Sequence, residues 1–262
     1  MRWSSPQLIV SPSVNYKGLT VFGFYSLSYG RDNNEGMPAD PYNLRAEWGP
    51  SSYGDVRHRL VAATAAALPG KFSVSPFLIT SSGQPYNITT GLDPNDTGFP
   101  IDRPALLSGV TGSGCRSGAL VYASEFGCFN LNPARGTPEI ERNYGRGPAT
   151  VSLGLRLSRT WAFGGRGETG PAEKTAHPQG VPGMTGGGPP SVLHGPKTDR
   201  KYNLTLTAST LNALNHANFA PPGGDLSSPY FGQYRGLGDL MGHMSAPSTY
   251  NRKITLQLRF TF

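Results

Sequence analysis

Nowhere in this sequence do about 18 apolar residues follow one another, so no segment of it can cross a bilayer as a helix. Charge is scarce as well. Asp, Glu, Lys and Arg together make up 15% of the chain, against roughly 25% in an ordinary soluble domain. Hydrophobic residues, at 37%, do not fill the gap. Glycine (35 residues) and proline (24) fill it, with Ser, Thr and Asn, a mixture that suits strands joined by turns and long loops. Runs of Lys and Arg are also missing. The 23 basic residues outnumber the 16 acidic ones, but they are scattered, which argues against a nucleic-acid partner.

Signatures of chemistry are equally sparse. There is no GxSxG elbow, and neither Gly145–Gly147 nor Gly186–Gly188 has phosphate-loop spacing. None of His58, His177, His194, His216 and His243 pairs with another at metal-ligand spacing. Asp93, Asn95 and Asp96 ahead of Gly98 look like half a calcium loop, but Pro104 stands where the bidentate Glu would be. An Asx-rich turn is the better reading of that stretch. Nothing here supports an enzyme, and no cofactor or metal is called for. The two cysteines, Cys115 and Cys128, stand 13 residues apart in an irregular stretch. A disulfide between them suits an exported chain, and two free thiols suit an unexported one. The first residues, MRWSSPQLIVSPS, hold no signal-peptide core. They lead to the expectation of a piece of a longer gene product, or of a start that lies elsewhere.

What the sequence does hold is alternation. In the last stretch, NRKITLQLRFTF, residues Ile254, Leu256, Leu258, Phe260 and Phe262 fall on one side of an extended strand. Thr255, Gln257, Arg259 and Thr261 fall on the other. Side chains of a strand alternate with period two, whereas a helix would smear these residues around its axis. Six more segments alternate in the same way: residues 7–16 (weakened by Pro12), 19–29, 55–68, 72–90 (with a break at Ser82-Gly83 and Pro85), 151–163 and 201–211. Long polar stretches, 30–54, 91–147 and 212–247, separate them and read as loops. Residues 164–199 are rich in Gly and Pro without alternation, and are expected to be a disordered or weakly ordered insertion.

Half-buried strands of a soluble sandwich and strands of a membrane barrel both alternate. The connections distinguish them. Joins after the first and third strands are tight turns, and the fifth join carries the insertion; joins after the second, fourth and sixth are long. Antiparallel strands taken in order then place short turns at one end and long loops at the other, as in outer-membrane barrels. The polar faces carry Ser, Thr, Asn, Gln and Gly more than Lys and Glu. Tyr29, Trp161, Phe163, Phe260 and Phe262 lie near strand ends, where an aromatic girdle belongs. Arg156 and Arg259, with Gln257, fall on polar faces and become lumen-facing candidates. Arg159 falls on an apolar side near Trp161. The predicted fold is all-β: an antiparallel transmembrane β-barrel segment of about seven strands with long extracellular loops, placed in the outer membrane.

Several phrases then gain meaning together: YGDVRHRLVAATAAALPGKF (53–72), SSGQPYNITTGLDPNDTGFPIDRPA (81–105), NYGRGPATVSLGLRLSRTWAFG (143–164), LTASTLNALNHANFAPPGGDLSSPYFG (206–232) and NRKITLQLRFTF (251–262). In order and spacing they resemble the carboxyl-terminal part of TonB-dependent outer-membrane receptors of the Oar-like group. The resemblance implies a barrel of about 22 strands around a plug, of which residues 1–262 are one segment. It implies energised uptake of a bulky nutrient. The partners it implies are outer-membrane lipid, the remaining barrel and plug, and the TonB complex reached through an amino-terminal part. A surface binding or adhesion protein without transport, a non-functional fragment and a soluble secreted sandwich remain the alternatives.

Overall fold

A computed structural model describes residues 2–107, 121–124, 127–134, 136–166, 199–238 and 251–262. The alternating segments form one large sheet from β1 (Gln7–Val10), β2 (Ser13–Tyr16), β3 (Leu19–Ser28), β4 (His58–Leu68), β5 (Phe72–Ser81), β6 (Thr150–Arg166), β7 (Arg200–Leu211) and β8 (Lys253–Thr261). Strand order is β8-β7-β6-β5-β4-β3-β1, with β2 also on β3. Every pairing is antiparallel, and from β2 to β8 each strand lies beside its neighbour in sequence. β1 and β2 are two halves of one edge strand. Val10 faces Tyr25 and Ser13 faces Phe22 in a single register. Pro12 between them has no N–H to give, yet its carbonyl accepts from Gly23 N at 3.2 Å. The wall therefore has the seven positions that alternation predicts.

Two boundaries differ from expectation. The third segment becomes a strand at His58 rather than Asp55, and the fourth ends at Ser81. Beyond Ser81 the chain bends into the loops. A Cβ at Gly83 would come within 1.8 Å of Gly147 O, so only glycine lets the two backbones meet there. The tight join at Lys17-Gly18 has φ of 43° and 82°, the left-handed pair of a two-residue hairpin. Pro69–Lys71 makes the other short reversal, with Gly70 at φ 74°.

The wall is open. Among the described residues β8 ends it on one side and β1 with β2 on the other, and these edges do not pair with each other. The loop expectation also needs correction. Residues 30–57, 82–149 and 212–238 are not irregular polar connections among the described residues. They contain short ladders: Trp3–Ser4 with Arg31–Asp32 and Gly49–Pro50, Pro85–Tyr86 with Gly145–Arg146, and Ala105–Leu106 beside Gly127–Asn130. They also enclose a core of Tyr86, Ile88, Phe129, Leu131, Ile140 and Leu226. A handful of apolar residues from two separate loops, residues 82–149 and 212–238, suffices, because each fills the space the others leave. Most of the 164–199 insertion lies outside the described residues.

Candidate membrane-facing wall and surface-loop site

The two faces of the wall have opposite chemistry. One face collects Leu8, Val10, Val14 and Tyr16 of the edge strand with Leu19, Leu60, Leu155, Leu157, Leu206, Leu256 and Leu258, and these side chains stay in the open. Ile254, Leu256 and Leu258 are 68%, 72% and 66% exposed. Among the described residues no second sheet covers these rows, so the soluble-sandwich alternative loses its core. A contiguous exposed apolar surface of this extent marks a contact with something apolar.

Aromatic residues border that face at both ends. At the short-turn end Phe163, Tyr202 and Phe260 stack on one another with centroids 5.9–6.2 Å apart. Phe262 continues the row from Phe260 at 5.9 Å, and Trp161 faces Leu204 in register beside it. At the loop end the Tyr25 and His58 rings stack, with Tyr25 Oη 2.8 Å from His58 Nδ1. Tyr29 lies there too, under the Arg57 guanidinium at 4.6 Å. Arg159 is on the apolar face, 4.8 Å from the Phe72 ring and 4.9 Å from Trp161. Two ring faces give that cation partners where water is thin.

Arg156, Gln257 and Arg259 lie on the opposite face, in register with Ser209, Thr207 and Thr205 of β7. Hydroxyls stitch this face across the strands: Ser73 to Ser158 at 2.6 Å, Ser81 to Thr150 at 2.8 Å and Thr160 to Thr205 at 2.9 Å. It is not polar throughout. Phe24, Val61 and Ile79 form a small buried cluster across β3, β4 and β5.

At the loop end, charged side chains of residues 30–57 meet oppositely charged ones of residues 82–149. Arg103 Nη1 donates to both Glu47 carboxylate oxygens at 2.9 Å, its Nε to Ile140 O at 3.1 Å, and its Nη2 to Ala46 O at 3.2 Å. Both partners are almost fully buried. Arg142 pairs with Asp32, and its Nη1 donates to Glu35 O at 2.9 Å. Arg146 pairs with Asp55, and Arg31 with Glu141 at 2.5 Å. Burial pushes the Asp32 carboxyl up, but hydrogen bonds from Arg142, Asn34 and Ser51 and the Arg142 charge outweigh it and hold Asp32 below the ordinary value. Burial raises Asp102 despite the bond its Oδ2 accepts from Asn95 N, and it raises Glu139 despite nearby Arg103. A cavity of about 270 Å³ opens among Asn33, Asn34, Glu35, Leu44, Glu47 and Arg142.

The Asp93 turn is an Asx turn. Its carboxylate accepts from Thr97 N at 2.8 Å and from Gly98 N at 2.7 Å, and this holds its pKa below the ordinary value. Cys128 is 3% exposed and disulfide-bonded; Cys115 lies outside the described residues. The loop core and the ion-pair set are what sequence reasoning missed. A signal existed: Asp32, Glu35, Glu47 and Asp55 crowd one loop while Arg103, Arg142 and Arg146 crowd the next.

An antiparallel meander with one face of open apolar rows, a hydroxyl-rich opposite face and its three folded loops at one end is the wall of an outer-membrane barrel. The chain belongs to the outer membrane beta barrel domain family, whose model matches residues 16–169, more than half of its length. It therefore resides in the outer membrane. β7 and β8 fall beyond the matched residues yet continue the same sheet without a change of pattern. Comparison with curated proteins and with solved structures found no match.

Proposed function

We propose that this wall and its folded loops belong to a TonB-dependent receptor of the Oar-like group, serving energised uptake of a bulky nutrient. The observation that carries the proposal is the direction of the two edges. The edge strand β1–β2 and β8 both run toward the short-turn end, because they are the first and seventh positions of a meander, six reversals apart. An antiparallel ring needs an even number of strands, so β8 cannot close on β1. Identical copies joined head to tail would also meet in parallel. In lipid, unpaired edges leave backbone groups unsatisfied at several kcal/mol each. Both edges call for opposed strands of different sequence, an odd number of them, as the remainder of a larger barrel supplies.

In that assembly Arg156, Gln257 and Arg259 line the lumen, and Tyr29, Trp161, Phe163, Phe260 and Phe262 lie at the two lipid interfaces. The loops face outward and hold the nutrient, and a Cys115–Cys128 bond staples one of them at about 3 kcal/mol in the chain-entropy model. A plug fills the lumen, and TonB acts through it. A second reading, surface binding without transport, draws on the buried Arg103–Glu47 pair, which suits a rigid binding surface. Mapping the transcript across the Met1 codon separates the two. Transport predicts one continuous reading frame with a plug of about 100 residues or more upstream. A transcript without it contradicts transport and favours binding alone.

A further inference from the structure

The wall's charge is divided between its ends. Every described acidic residue except Asp199 lies in the loops or the loop-end ladders. At the short-turn end stand Lys17, Lys71, Arg159, Arg166, Arg200 and Lys201. Arg166 and Arg200 are direct cross-strand partners, and like charges placed opposite each other weaken a strand pair. Arg200 Nη1 donates to Gly164 O at 3.0 Å, which fixes its head there. Three other cations lie over rings of the aromatic border: Lys17 Nζ at 5.1 Å from Tyr16, Lys201 Nζ at 5.6 Å from Tyr202, and Arg159 against Phe72 and Trp161. Long basic side chains lay their stems along apolar surface and carry the charge to its edge. The charge thus gathers where the apolar rows stop, at the depth of headgroup phosphates in a bilayer.

We infer that the short-turn end of the wall is a binding rim for anionic phospholipid headgroups. The rim rests on the apolar face meeting hydrocarbon. Given that, a headgroup phosphate has a position fixed by continuity: its acyl chains lie along the Leu and Phe rows and its charge lies beside one of the rim cations, Lys17, Arg159 or Lys201. A free anion in water would gain the charge contact but not the chain contact.

The test uses the full chain in vesicles of phosphatidylcholine mixed with phosphatidylglycerol, with spin-labelled forms of each lipid reporting association. Wild type is expected to favour the anionic label by about fivefold, the size of one well-placed basic contact at a charged surface. The preference falls toward one in the K17Q/R159Q/K201Q variant and in about 1 M salt. The R156Q/R259Q variant, altered on the opposite face, keeps it. If the triple variant does not insert, K17Q and K201Q singly and the salt series on wild type carry the test. A wild-type ratio of one, or a ratio unmoved by these variants and by salt, overturns the inference. Inorganic phosphate at constant ionic strength should leave the ratio alone; loss of the preference in phosphate assigns the rim to free anions instead. Trp161 fluorescence that brominated acyl chains fail to quench refutes the lipid-facing wall, and the rim with it, whereas quenching without lipid preference refutes the rim alone.

Discussion

Arg103 and Glu47, 56 residues apart in the chain, meet as a bidentate ion pair from which water is almost wholly excluded. The pair joins the first long loop to the second. Removing one member leaves the other charge buried alone, at about 3–5 kcal/mol. Glu47→Ala and Arg103→Ala should therefore release residues 30–57 and 82–107 to rapid amide exchange while β4 to β7 keep their protection. Exchange that rises equally in loops and wall would contradict the assignment of this pair to a separate loop core.

Proton linkage gives the loops a second signature. Asp102 and Glu139 have raised values, so between the ordinary carboxylate range and their own values the folded loops bind more protons than the unfolded chain. Their contribution favours folding at the acid side and is lost as pH rises through that window. Asp102→Asn should stabilise the loops at neutral pH and flatten this slope, since its side-chain oxygen still accepts from Asn95. Asp32 has the opposite sign: its contribution is present above the ordinary value and is lost as pH falls through its lowered one. Asp32→Asn should weaken the loops at neutral pH and lose its effect in strong acid. Loop exchange rates measured against pH check both.

Charge placed on the two faces should behave differently. Leu157→Arg puts a cation among the apolar rows away from the aromatic border, at an expected cost of about 2–4 kcal/mol if those rows meet lipid. Gln257→Arg, beside Arg259 on the other face, should cost well under half of that. Urea unfolding from vesicles measures both. Equal costs would mean that the faces share one environment.

At Gly224 a Cβ would lie 1.9 Å from Asn87 O, where the third loop docks onto the second through Thr89 N to Gly224 O at 2.9 Å. Gly224→Ala should undo this docking and expose Leu226. Faster proteolysis within residues 212–238, with the wall strands intact, is the expected outcome.

The wall was legible because its rule is local. Ile254 to Phe262 alternate whatever lies around them, and loop parity follows from counting. The break at Pro12 was visible for the same reason. The loop core was not legible, because Ile88, Phe129, Ile140 and Leu226 carry no periodicity and meet only through long-range packing. Nor did alternation foresee Phe24, Val61 and Ile79 burying one another on the otherwise hydroxyl-rich face. Alternation tells which residues share a side, not what that side touches. The complementary charges of Glu47 and Arg103 were present in the sequence, yet scattered charges reveal partners only once the backbone brings them together.

Adjacent residues of β8 offer the most direct measurement of what touches the apolar rows. Nitroxide labels at Leu258→Cys and Gln257→Cys, in vesicles, report access to oxygen from the hydrocarbon and to a water-soluble nickel chelate. A wall in the outer membrane predicts oxygen access at 258 and chelate access at 257. Equal chelate access at both positions, or a label at 258 shielded from both reagents by packed protein, would contradict it.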